Sequence, residues 1–219
     1  MSVMIPTAKK KSALPVAVAA LVAFLALVAG CATMLSDNDI AAKATAMMKT
    51  SFRESGQAKL DRLDQDDVQA TCSQYESAQK LPKDVAERLE KSQMATIRYP
   101  ADGKMEGNWK AGEAIAQNGT GKQFNDDPSK PSGANCYACH QLTPQELSFG
   151  TIGPPLLGYG KLRGNSPEIQ KYTYGKIYNS QAFSACSNMP RFGHNGILTE
   201  QQMKDVVALL LDPASPVNK

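Results

Sequence analysis

Five consecutive residues constrain this chain more than any others: Cys136-Tyr137-Ala138-Cys139-His140. Thiols at i and i+3 share one face of a single helical turn, and the next residue sets an imidazole beside them. That spacing lets both sulfurs bond the two vinyl groups of a haem while His140 meets the iron. One covalent haem c is therefore the expected cofactor, with Cys136 and Cys139 as thioether donors and His140 as an axial ligand. The same three residues could instead hold zinc, which would need a fourth ligand from Cys72, Cys186 or His194. Nothing supplies the usual second Cys-x-x-Cys pair.

A haem histidine needs a hydrogen-bond acceptor behind it to fix its tautomer and raise its basicity. Gly153-Pro154-Pro155-Leu156-Leu157-Gly158 follows His140 after 12 residues. It resembles the class I cytochrome c segment in which a proline carbonyl accepts the imidazole proton. Pro154 is the candidate for that carbonyl, and Leu156 for packing on the ring. Further on, Met189-Pro190-Arg191-Phe192-Gly193 resembles the class I loop that presents a thioether in extended chain, and Pro190 biases Met189 away from helical geometry. Met189 is the candidate sixth ligand, with His194 as its competitor. Met203 lies on a helical apolar stripe and reads as core. His/Met ligation raises the reduction potential. Arg191 is open to two readings, a propionate partner or a solvated surface residue, and Pro190–Asn195 is the expected docking surface.

The fold class expected is all-α: a class I cytochrome c-like haem domain over 101–219, a helical extension over 31–100, and a signal peptide of lipoprotein type over 1–30. The signal consists of Lys9, Lys10 and Lys11 before an apolar run from Val16 to Gly30, shorter than the roughly 20 residues of a spanning helix. It ends Leu-Val-Ala-Gly-Cys, which resembles a lipobox with Cys31 as the lipidated residue; a plain cleaved signal is the alternative. Export places the chain in the periplasm, with an outer-membrane address if the lipid is attached. Those three lysines account for the whole formal charge of +3. The remainder is neutral, so nucleic-acid binding has little support.

Helix signals are clear in places. Asp64 reads as the cap of a Gln65–Ala78 helix, and Pro82 as the first residue of Pro82–Met94. Tyr99–Gly103 is a turn, Asn108–Gln117 a helix whose Gly112 and Ala116 offer a flat face, and Ser166-Pro167-Glu168 a helix start. Thr199 with Gln202 forms a capping box for a helix carrying Met203, Val206, Val207 and Leu210, stopped by Pro213. The first and last helices of the haem domain are expected to cross. Tyr172, Tyr174, Ile177 and Tyr178 read as packing of the haem crevice.

The stretches Asn135–His140, Gly150–Pro154, Lys171–Tyr178, Cys186–Gly193 and Gly196–Gln202, with the tail Asp212–Val217, together resemble the SoxX family, the monohaem subunits of the sulfur-oxidation complex SoxAX. The resemblance covers about residues 105–218. It implies an L-cysteine S-thiosulfotransferase, active only as a heterodimer with SoxA. That enzyme couples thiosulfate to a cysteine of the carrier SoxYZ and passes two electrons to an acceptor cytochrome c. The resemblance makes this chain the electron-transfer subunit and assigns it no catalytic residue of its own; a stand-alone membrane-tethered carrier is the alternative. Once Cys31 and the two haem cysteines are set aside, Cys72 and Cys186 remain, in a compartment where disulfides persist. A disulfide between them is expected; two free thiols, or a mixed disulfide with SoxA, are the alternatives.

Overall fold

The computed structural model describes residues 36–75 and 77–219; the signal peptide and Cys31 lie outside the described residues. Helix α1 (Asp37–Ser51) belongs to an N-terminal unit that ends at Ser51. Ser36 Oγ accepts the Asp39 N–H at its start, Asp37 and Asp39 sit where the helix dipole favours acids, and none of its residues is buried.

Residues 52–219 form a second compact unit. The extension from Phe52 onward and the region after residue 100 thus share one unit, and the break among the described residues falls at Ser51. Within it, α2 (Asp67–Cys72) is short. Its cap is Asp66, not the expected Asp64. Asp66 Oδ1 accepts the Gln69 N–H at 2.9 Å while Gln69 Oε1 accepts the Asp66 N–H at 3.0 Å, a reciprocal capping box. Helix α3 (Lys83–Met94) starts one residue later than expected, with Pro82 as its cap. The Gly103 N–H to Pro100 O bond closes the turn that follows at 3.0 Å.

Helix α4 (Trp109–Gln117) begins at Asn108, whose side chain accepts the Lys110 N–H. After a long loop come α5 (Tyr159–Arg163), α6 (Pro167–Tyr178), capped by Ser166 with Pro167 in its first turn, and α7 (Glu200–Leu211), which carries the Thr199/Gln202 capping box. No strand forms among the described residues; one isolated bridge joins Ser55 and Ala58.

The α4–α7 pair is the centre of the unit. A Cβ on Gly112 would stand 2.1 Å from the Asp205 carbonyl oxygen and 3.0 Å from Leu209 Cβ, so only glycine permits this approach. Helix α7 is buried on every side from Met203 to Leu211, more than its apolar stripe foretold. Its polar residues are paired to match. Asp205 accepts from the Asn108 N–H at 2.8 Å and from Gln201 Nε2 at 2.9 Å, and Lys204 reaches Asp102. The chain's end closes the fold: Asn218 Oδ1 accepts from Gly160 N–H at 2.8 Å while its amide donates to the Leu210 and Asp212 carbonyls, each at 3.0 Å.

Candidate haem site

Asn135 opens the site in the left-handed conformation, φ 46°, which asparagine tolerates better than other side chains. The chain then makes one tight turn, Cys136–Ala138, closed by bonds to the Cys136 carbonyl from the N–H of Cys139 (3.1 Å) and of His140 (2.9 Å). Tyr137 points the other way into the core, 7% exposed, and anchors the turn. Cys136 and Cys139 are both unbonded and half-buried. Burial pushes the Cys136 thiol up to about 12, so it is a neutral thiol in the bare chain.

The segment from Gly150 is strapped along this turn. Gly150 N–H donates to Tyr137 O at 2.8 Å, Gly153 N–H to Cys139 O at 2.8 Å, and Leu156 N–H to Gln141 O at 2.7 Å. The straps bring Pro154 O to 2.7 Å from His140 Nδ1. A proline carbonyl only accepts, so Nδ1 carries the proton and Nε2 is left with a free lone pair. A Cβ on Gly153 would lie 2.2 Å from His140 Cε1 and 2.5 Å from Nδ1; the ring rests directly on that backbone. Leu156 packs at the rim of the hydrophobic core, as does Cys136.

Met189 joins the same rim. Its N–H donates to Ser187 Oγ at 3.2 Å and its carbonyl accepts from Ser180 Oγ at 2.5 Å. His194, the competitor, is exposed. Burial, followed by the Arg191 charge, lowers its pKa against the pull of Asp66, so its ring stands beside that ion pair. Arg191 is not the solvated surface residue of one sequence reading. It is 7% exposed and salt-bridged to Asp66. Phe192 is buried too, so of the expected docking segment only Pro190, His194 and Asn195 are exposed and Gly193 half-buried. The Asp66–Arg191 pair was beyond sequence reasoning; the capping-box pattern at Asp66 was its one visible trace. Cys72 and Cys186 are joined, with their Cα atoms 5.5 Å apart. Neither is therefore available to a zinc ion, and no group of three His, Cys, Asp or Glu converges among the described residues.

Residues 110–212 match the cytochrome c family model. The chain is also 40% identical over 181 residues to an uncharacterized lipoprotein of Aquifex aeolicus (strain VF5), covering 80% of this chain and 84% of that protein.

Residues 110–212 form a cytochrome c domain.

Covalent haem c and electron transfer follow from that domain. The residues of this cytochrome fit the group: two unbonded thiols on one turn, a histidine held in the Nδ1–H tautomer, and a glycine that leaves the ring its place. Cys136 and Cys139 would hold the porphyrin by thioether bonds, and His140 Nε2 would face the iron. When bound, the haem supplies a one-electron couple. The chain's part is to fix the ligand. The Pro154 carbonyl makes the imidazole more electron-donating and stops it rotating.

Proposed function

We propose that this cytochrome is the electron-transfer subunit of a SoxAX-type complex, with Met189 as its sixth iron ligand. The carrying observation is that the chain offers a donor from each of two loops, His140 backed by Pro154 and Met189 at the core rim. Both axial positions are then filled, and no iron site is left for a sulfur substrate. In the proposed reaction thiosulfate joins a carrier thiol as a cysteine S-thiosulfonate, releasing two electrons and a proton. The sulfur–sulfur bond forms on the partner SoxA, and this chain conducts the electrons to an acceptor cytochrome c. The motif resemblance over about residues 105–218 supports the assignment. Cys31 and the lipoprotein relative support a lipid tether facing the periplasm. They equally favour a second reading, a stand-alone tethered electron carrier.

Reconstitution of SoxA, SoxYZ, thiosulfate and an oxidised cytochrome c, with and without this protein, tests the proposal. Turnover is expected only with both subunits. Undiminished turnover without this chain would reject the subunit reading and leave the stand-alone carrier; thiosulfate consumption by it alone would reject both.

A further inference from the structure

The loop between α6 and α7 that carries Met189 has little regular structure of its own, yet the extension grips it on both sides of the methionine. Three residues before it, Cys186 is bonded to Cys72, 114 residues away in sequence. Cys186 has φ 58°, a backbone state that a non-glycine residue keeps only where its surroundings hold it. Two residues after it, Arg191 donates to Asp66, the cap of α2. The guanidinium is buried, 8% exposed, so it cannot exchange that partner for water.

Helix α3 supplies the rest. Glu90 Oε1 accepts the Ala185 N–H at 3.0 Å, and Gln93 Oε1 accepts from Asn179 Nδ2 at 3.0 Å and from Arg191 at 3.5 Å. Asn179 is fully buried and its amide also reaches Thr96 Oγ1 at 2.9 Å. The next residue, Ser180, holds the Met189 carbonyl. Every one of these partners in the extension lies between residues 66 and 96, outside the cytochrome c match at 110–212.

An irregular loop holds a side chain only as firmly as its own ends are held. We propose that the extension from Asp66 to Thr96 is an external brace that sets the sulfur of Met189 at the iron, with Cys186, Arg191 and Gln93 as positioning residues. The proposal rests on the reading of Met189 as the sixth ligand. Without the brace the loop would sample positions in which the thioether has left the iron.

The test uses the full-length haem-loaded protein and its weak far-red sulfur-to-iron absorption in the oxidised state. Three forms are compared with wild type: Asp66→Asn, Gln93→Ala, and the Cys72→Ser/Cys186→Ser pair. Asparagine caps a helix about as well as aspartate, so Asp66→Asn removes the charge facing Arg191 and leaves α2 intact. Haem content and circular dichroism check folding, and Thr199→Ala, whose side chain bonds Gln202 and none of the brace residues, controls for general destabilisation. Each brace variant should keep its haem and lose the band well below its unfolding temperature. The ligand-off fraction should rise about tenfold in Asp66→Asn and in the double serine variant, and the reduction potential should fall. Thr199→Ala should hold the band up to unfolding. Brace variants that keep wild-type band stability and potential would overturn the brace alone. A wild-type protein with no such band would overturn the Met189 reading, and the brace with it.

Discussion

Replacing Gly153 with alanine tests the geometry of the histidine most directly. The added Cβ would meet three atoms of the His140 ring, at 2.2, 2.5 and 2.8 Å, all below the roughly 3.4 Å of ordinary van der Waals contact. The nearest backbone is itself strapped to Cys139, so the ring must give way. Its movement strains the 2.7 Å bond from Nδ1 to the Pro154 carbonyl. Overpacking of this kind costs about 1–3 kcal/mol and a lost hydrogen bond about 1 kcal/mol more, so a total of about 2–4 kcal/mol is expected. For a unit of this size that lowers the melting temperature by about 5–15 °C. The reduction potential should rise, because a weaker bond to Pro154 leaves the imidazole a poorer donor to the oxidised iron. Gly103→Ala is the matched control. It has φ 70° and nothing within 4 Å, so it carries backbone strain of about 1–2 kcal/mol and no clash. The assay is thermal unfolding of the haem-loaded protein with redox titration in parallel. If Gly153→Ala matched wild type in both, the ring would not rest on that backbone and the reasoning would fail.

Two further outcomes are expected. Burial works against Asp66 ionising, yet the Gln69 N–H and the Arg191 guanidinium hold its carboxyl below the usual range. A depressed carboxylate stabilises the fold above the unfolded value of about 3.9 and loses that contribution as pH falls through the folded value. Wild type should therefore lose more melting temperature than Asp66→Asn between about pH 5 and pH 2.5, and parallel curves would contradict the pair. Thr199→Ala removes the acceptor for the Gln202 N–H and should cost about 1 kcal/mol, read as a small fall in denaturant midpoint at unchanged slope.

Much of the haem side of the site was legible because its information is local. The Cys136–His140 spacing is set within one turn, and the loop bearing Pro154 is zipped to that turn by consecutive backbone bonds. The helix starts at Asn108, Ser166 and Thr199 were readable for the same reason: a cap and the backbone N–H it accepts from sit within three residues. The extension was less legible. Asp64 and Asp66 are both plausible caps in a run of acids, and the reciprocal bond to Gln69 decided between them. The expected helix through Ala78 ends at Cys72, where the chain is bonded to Cys186.

By itself the sequence named the candidates to meet the haem: two thiols, the imidazole of His140, and Met189 with His194 as its competitor, each picked out from neighbours a few residues away. Only the tertiary structure decided what holds the methionine loop. Asp66 and Arg191 are 125 residues apart, and in sequence each is indistinguishable from a charge in water. Burial makes the difference. Once the extension covers Arg191, its charge cannot return to solvent, and the carboxylate that accompanies it becomes part of the loop's geometry.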